Sequence, residues 1–218
     1  MVAYKALKDM DVANKRILLR ADLNVPVDDA GHVTEYARID GLKPTIDYLV
    51  EHNARVLILS HFGRPKGEAH CKYSMAFLPE ILGGRWGHQV GFAGDCTGEA
   101  ARQKASHIQP GQIALLENVR FDPGEEANDA EFAKALASLG DIFVHDAFSA
   151  AHRAHASTHG ITHHLPSCAG FMMAAELDAL NAALEIPERP VAAIVGGAKV
   201  SSKLNLLQNL VQKVDYMI

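Results

Sequence analysis

Short apolar runs, each ending in a cluster of polar residues, set the strongest limit on how this chain can fold. Ile17-Leu18-Leu19, Val56-Leu57-Ile58-Leu59, Ile113-Ala114-Leu115-Leu116 and Ile142-Phe143-Val144 recur through the first 150 residues, and Val191-Ala192-Ala193-Ile194-Val195 follows later. Each run suits a buried strand and is too short for a helix. Helical patterns fill the gaps. Asp40 stands as an N-cap before the stripe Leu42, Ile46, Leu49 and Val50, with Asn53 closing it. A second helix is expected over about Met75–Leu82, stopped by Gly83-Gly84, and a third over Gly98–His107. Asn128 is read as the cap of a fourth, which carries Phe132, Leu136 and Leu139 and ends at Gly140. Val27–Val33 reads as a small hairpin, and a short strand is expected between Trp86 and Phe92. Strand and helix alternating in this way call for an α/β fold, an open and mostly parallel sheet with helices on both faces.

Composition removes several classes of function. The 218 residues are 48% hydrophobic, enough for a sizeable core, so disorder is not expected. A net charge of −5 argues against a general nucleic-acid or anionic-membrane binder, although it leaves room for a local basic pocket. No apolar run approaches the roughly 20 residues of a membrane span, and Met1–Lys15 mixes charges with single apolar residues, unlike a secretory signal. Cys71, Cys96 and Cys168 are widely spaced, which is not a disulfide framework and fits a reduced, cytoplasmic setting.

In a parallel sheet every strand delivers its carboxyl end to the same rim, the usual place for a site. The runs here end in Arg20-Ala21-Asp22-Leu23-Asn24-Val25-Pro26, Ser60-His61-Phe62-Gly63-Arg64-Pro65-Lys66-Gly67, Glu117-Asn118-Val119-Arg120-Phe121 and His145-Asp146-Ala147-Phe148-Ser149-Ala150-Ala151-His152-Arg153-Ala154-His155. The rim is therefore expected to gather Arg20, Asp22, Asn24, His61, Arg64, Arg120, His152 and Arg153, with Arg38 at a helix start nearby. Arginine is the residue for bidentate recognition of carboxylate and phosphate. Asp22 and Asn24 suit orienting a hydroxyl or holding an arginine in place. The plain alternative for any one arginine is a surface ion pair, and for Asp22–Asn24 a solvated loop. Recurrence at successive strand ends favours a small ligand with two or more negative charges.

From about Ala169 the character changes. Ala174–Glu185, with Leu177, Leu180 and Leu184, is a strong helix closed by Pro187 and Pro190, and it reads as a connector. The run from Val191 then turns at Gly196-Gly197-Ala198-Lys199-Val200-Ser201-Ser202-Lys203 into a helix with Val200, Leu204, Leu207 and Val211 on one stripe. Val214–Ile218 resembles the opening of another strand. A strand–Gly-Gly–helix turn with Lys199 and Lys203 four apart outlines a phosphate cradle, but such a turn is as readily a matter of packing. Of the 12 histidines, six fall between His145 and His164. The spacings of His152/His155 and His159/His163 are those of helical metal ligands, but no strong helical pattern enforces them and no metal site is assigned.

These motifs, taken together and in this order, resemble the phosphoglycerate kinase family. Arg20–Pro26 looks like its Arg-x-Asp-x-Asn-Val-Pro signature, and Ser60–Gly67, Leu116–Phe121, Ala151–His155 and Gly196–Ser201 match further motifs across the whole chain. The resemblance implies a Rossmann-like substrate domain over 1–169, an interdomain connector over 170–189 and the first β-α unit of a nucleotide domain over 190–218. It implies that Asp22, Leu23, Asn24, Arg38, His61, Phe62, Gly63, Arg64, Arg120 and Arg153 bind 3-phosphoglycerate or the matching part of 1,3-bisphosphoglycerate. Arg38 and Lys199 would steady the phosphoryl group in flight, and Gly196, Gly197, Lys199 and Lys203 would meet ATP or ADP, used with Mg2+. The implied reaction is reversible phosphoryl transfer from 1,3-bisphosphoglycerate to ADP.

This sequence departs from the family pattern in two ways. His145 and Ser149 stand where the family has an asparagine and a glycine, which bears on the backbone path to Arg153. Family members also continue for about as many residues again, so these 218 residues alone are expected to hold the acidic substrate with little or no turnover. A full-length member is expected to be a monomer. The runner-up is a non-catalytic anion-binding or interaction protein, its exposed helix stripe covered by self-association or a partner.

Overall fold

Ile17, Leu18 and Leu19 lie in β1, Arg16–Ala21, a central strand of a six-stranded sheet. The computed structural model describes residues 4–184, 187–196 and 204–218. They form two units, one over Tyr4–Ala174 and the other from Ala175 onward.

In the first unit β1 pairs in parallel with β2, Arg55–Leu59, on one side and with β5, Ile142–Asp146, on the other. Beyond β2 lie β4, Ile113–Leu115, and β3, Val90–Phe92; beyond β5 lies β6, Ser167–Ala169. All five pairings are parallel, and the order is β3-β4-β2-β1-β5-β6. After β1 the chain moves to one side, and after β5 it moves to the other. The loops leaving these two neighbours therefore diverge, and a crevice opens between their carboxyl ends.

Side chains alternate across the sheet. Ile17, Leu19, Val56, Ile58, Ile113, Leu115, Ile142 and Val144 face a layer made by α1, Ala37–Glu51, and α2, Leu78–Trp86. Leu18, Leu57, Leu59, Ala114 and Phe143 face α3, Glu99–His107, and α5, Ala130–Ala137. Between these last two helices in sequence is the short α4, Pro123–Ala127. Both faces are covered, so the strands read as continuous apolar runs.

Several boundaries differ from the sequence reading. Helix α1 starts at Ala37, whose N–H is met by Glu35 Oε1 at 2.8 Å, so Asp40 is not its cap. Asp40 instead pairs with Arg85 of α2. Helix α2 runs through Gly83 and Gly84 and ends at Gly87, which takes the left-handed conformation. The continuation buries Trp86, whose indole donates to the carbonyl of Ile39 at 2.8 Å. Asn128 ends α4 with φ +53°, and Asp129 is the true N-cap of α5, accepting from the N–H of Phe132. The hairpin is present as an antiparallel bridge between Val27 and Val33. Strand β6 was not expected; its end bridges Ala6 through Ala169.

Helix α6, Phe171–Leu184, is anchored at its start by the sheet. Asp146, the last residue of β5, accepts from the N–H of Met173 at 2.9 Å and from the Thr45 hydroxyl at 2.6 Å. The Thr45 hydroxyl oxygen in turn accepts from the N–H of Phe171. Burial holds the Asp146 carboxyl above the usual carboxylate range.

In the second unit β7, Ala192–Ala193, pairs in parallel with β8, Tyr216–Met217, after the helix α7, Leu204–Val211. Asp215 holds the entry to β7 by accepting from the N–H of Val191 and from Arg189.

Gly170 packs directly on the Asp146 side chain, and a Cβ there would collide with it. Gly84 has open space around the same position. Gly170→Ala is expected to destabilise the fold by about 2–4 kcal/mol through overpacking and a weakened cap. Gly84→Ala should be neutral or stabilising by up to about 1 kcal/mol. Urea unfolding of both variants checks this, and equal stabilities would contradict it.

Candidate active site

The crevice at the ends of β1 and β5 is built on Arg20. Arg20 does not face a ligand as the sequence reading placed it; its side chain is 1% exposed and lies beneath the rim. Its Nε donates to the Ser157 hydroxyl at 2.9 Å, one Nη donates to the carbonyl of Ala21, and the other meets His61 Nδ1 at 3.1 Å. Ser157 passes the link to Glu125, which is fully buried and accepts from both its hydroxyl and its N–H.

The contact with Arg20 decides the state of His61. A guanidinium can only donate, so Nδ1 must accept and the ring's proton sits on Nε2. Burial, with the nearby charges of Arg20 and Arg120, pushes the His61 pKa down to about 3. His61 is therefore a neutral hydrogen-bond donor at physiological pH.

The loop after β1 supplies a second fixed pair. Asp22 Oδ2 accepts from Arg38 Nη1 at 2.6 Å, and the same nitrogen donates to the carbonyl of Asn24 at 3.2 Å. With Nη1 engaged, Nε and Nη2 of Arg38 remain available to a ligand. The Asn24 side chain accepts from the N–H of Gly63 at 2.8 Å. The carbonyl of Gly63 then accepts from Arg120 Nη1 at 3.0 Å. Gly63 has φ +63°, and a Cβ there would strike the Tyr73 ring, so this turn requires glycine. Leu23 and Phe62 are buried. Leu23 gives its N–H to Ser60, and Phe62 gives its carbonyl to Asn118 Nδ2.

Arg64, Arg120 and Arg153 converge. Burial first, and then the charges of Arg153 and Arg64, press the Arg120 pKa down, while Glu126 at 3.1 Å opposes them. Arg64 and Arg153 show no carboxylate partner among the described residues; the contact of Arg153 is with His152. Beside Asn24 and Gly63 a cleft of about 490 Å³ extends to Tyr73, Lys72 and the hairpin.

The rim thus brings together Asp22, Asn24, Arg38, His61, Arg64, Arg120 and Arg153. It also contains residues to which the sequence reading gave no role. Ser60, Asn118 and Ser157 fix the loops, and the Ser149 hydroxyl donates to Asp22 Oδ2. Ser60 and Asn118 lay within quoted motifs, and Ser149 was noted only as a departure from the family's glycine; no local signal marks Ser157.

A family model described as phosphoglycerate kinase matches residues 7–218. The chain belongs to the phosphoglycerate kinase family. It is 56% identical to the phosphoglycerate kinase of Rhodospirillum centenum and 49% identical to that of Moorella thermoacetica, covering all of this chain and 54% and 55% of theirs. The chain thus spans about half the length of these relatives. The solved phosphoglycerate kinase of Coxiella burnetii superposes with a TM-score of 0.88 at 42% identity, covering 99% of this chain and 54% of that one. The Pyrococcus horikoshii enzyme gives 0.87 at 32% identity, covering 98% and 54%.

Of the residues that the sequence reading placed in a nucleotide cradle, Gly196 alone is described, and a Cβ there would meet none of the described residues within 4 Å. Gly197, Lys199 and Lys203 lie outside the described residues. No helix among the described residues is long and apolar enough to cross a membrane. The three cysteines are free thiols, with Cys96 and Cys168 buried. The clustered histidines have separate surroundings. His155 lies 3.7 Å from Glu125, His159 and His163 meet edge to face, and His145 is mostly buried.

The resemblance described above puts His145 where the family has an asparagine. Its Nδ1 accepts from the N–H of Ala147, and its buried Nε2 has no hydrogen-bond partner among the described residues. Burial and the nearby charge of Arg20 push its pKa down to about 4. Unfolding restores an ordinary value near 6.5, so the unfolded chain binds the extra proton. Stability from this group is therefore intact above about pH 6.5 and is lost as pH falls toward 4, on the order of 3 kcal/mol. His145→Asn is expected to shrink the stability difference between pH 7 and pH 4 by about that amount. Urea unfolding at the two pH values checks it, and an unchanged difference would refute the assignment.

Proposed function

We propose that these residues form the acidic-substrate half of a phosphoglycerate kinase, a cytoplasmic enzyme of glycolysis that binds 3-phosphoglycerate or 1,3-bisphosphoglycerate. The observation that carries this reading is the convergence of Arg64, Arg120 and Arg153 beside neutral His61 and the Asp22–Arg38 pair. Like charges this close are relieved by an anion. Hydrogen bonds to charged groups contribute roughly 1.5–3 kcal/mol each. Three or more of them offset an association cost of about 4–15 kcal/mol, so a small ligand with several charges binds where a monoanion does not.

In this reading His61, Arg64, Arg120 and Arg153 hold the ligand's phosphate and carboxylate oxygens. Asp22 and Asn24 orient its hydroxyl, helped by the backbone around Leu23, Phe62 and Gly63. Arg38, held by Asp22, offers its free nitrogens to the phosphoryl group in transfer, and Lys199 meets that group from the nucleotide side. Phosphoryl transfer asks for such positioning and charge stabilisation more than for a covalent catalyst. Gly196, Gly197, Lys199 and Lys203 would contact ATP or ADP, whose phosphates carry Mg2+. In this reading 1–169 is the substrate domain, 170–189 the connector and 190–218 the start of the nucleotide domain. The whole enzyme would act as a monomer.

Calorimetric titration with 3-phosphoglycerate is expected to show binding to the 218-residue polypeptide. Arg64 is exposed, so Arg64→Ala should leave the melting temperature unchanged while weakening binding about tenfold or more. A coupled assay of the same polypeptide should show no turnover above background. Binding indifferent to Arg64→Ala would overturn the site, and near-normal turnover would overturn the division of labour.

A further inference from the structure

Among the described residues, the Ser149 hydroxyl is the contact that reaches the Asp22–Arg38 pair from the far side of the crevice. Ser149 lies in the turn Phe148–Ala150 after β5, and Asp22 follows β1, 127 positions earlier. The turn is right-handed 3-10 helix, with no positive φ at Ser149, so the backbone does not require the glycine of the family pattern. The same turn leads to Arg153, whose N–H donates to the carbonyl of Ala150 at 3.1 Å.

A carboxylate offers about four acceptor sites. On Asp22, Oδ1 takes the N–H of Asn24 at 3.1 Å, and Oδ2 takes Arg38 and Ser149. Three sites are used and one remains on Oδ1, which suits a ligand hydroxyl. The hydroxyl of Ser149 therefore does not displace the ligand; it fixes the carboxylate that receives it.

We propose that Ser149 is a positioning residue for the acidic-substrate site, its hydroxyl latching the Arg153 segment to Asp22 and setting the orientation of Asp22 and Arg38. This rests on the ligand assignment made above, but the latch itself is a property of the free protein. Arg38 from α1, Arg20 beneath, His61 from the loop after β2 and Ser149 are the charged and hydrogen-bonding side chains around Asp22. Burial works to raise the Asp22 carboxyl, but the Ser149 hydroxyl, the Arg38 charge and the N–H of Asn24 hold it below the usual carboxylate range.

The test compares Ser149→Ala, Ser149→Gly and Ser149→Thr with the parent protein by carbon-13 titration of the Asp22 carboxyl and calorimetry with 3-phosphoglycerate. The melting temperature is followed to confirm folding. A lost hydrogen bond of this kind corresponds to a change of about three- to tenfold. The alanine and glycine variants should bind about that much more weakly and titrate Asp22 at higher pH, while the threonine variant, which keeps the hydroxyl, stays close to the parent. An Asp22 titration unmoved by Ser149→Ala overturns the latch, whether or not ligand binds. Unchanged affinity in both alanine and glycine variants of a protein that does bind overturns its role in positioning. A moved titration in a protein that binds no 3-phosphoglycerate supports the latch and refutes the ligand assignment instead.

Discussion

The buried guanidinium of Arg20 is the constraint on which the rim depends. Placing such a charge inside a protein costs several kcal/mol unless its donors are met. Here they are met by the carbonyl of Ala21 at the end of β1 and by Ser157 and His61 from two separate loops. Ser157 ties to Glu125 of α4, just past Arg120, and the neighbouring Thr158 hydroxyl donates to the carbonyl of Arg153. One planar fork thus sets the paths of the chain around His61, Arg120 and Arg153. Lysine, with a compact ammonium, lacks that fork. Arg20 also divides the electrical work. Its charge and the surrounding burial keep His61 and His145 neutral, so the positive charge of the rim comes from arginines that do not titrate near neutral pH.

Much of the fold was legible because the sheet is covered on both faces. Strands β1, β2, β4 and β5 must then be short unbroken apolar runs, and no alternative element fits them. The strand order was not legible, since pairing is decided by packing between distant segments. The helix boundaries failed where tertiary contacts outweigh local propensity. Two glycines cost a helix about 1 kcal/mol each, but ending α2 at Leu82 would leave Trp86 without its pocket and its bond to Ile39. Strand β6 is three residues long and has no pattern of its own; it is defined by its neighbours β5 and Ala6.

The site was legible for a similar reason and with a similar limit. Strand ends in a parallel sheet share one rim, so polar residues there could be gathered from sequence alone. That rule cannot tell a residue that faces the crevice from one that supports it. Arg20 is still within β1, paired in register with Leu59 and His145, and it is enclosed by the neighbouring strands and loops. Asp22, two residues on, is past the strand and reaches the opening. Ser157 carried no signal, and Ser149 stood out only as a departure from the family's glycine, because a lone serine gains meaning only from what it touches.

The arginines of the rim differ in what holds them before any ligand arrives. Arg38 is fixed by Asp22, and Arg120 is fixed by Glu126 and the carbonyl of Gly63. Arg64 and Arg153 have no carboxylate partner among the described residues. Side chains already ordered lose little entropy on binding, whereas free ones lose about 0.5–1.5 kcal/mol each. Fixing all four with carboxylates would place four acids in the crevice, and those acids would repel an anionic ligand. Leaving all four free would let their mutual repulsion spread them toward solvent. The observed arrangement lies between these limits. The paired cations define where the ligand's charge must sit, and the unpaired ones supply the positive excess that draws it there against the chain's net charge of −5.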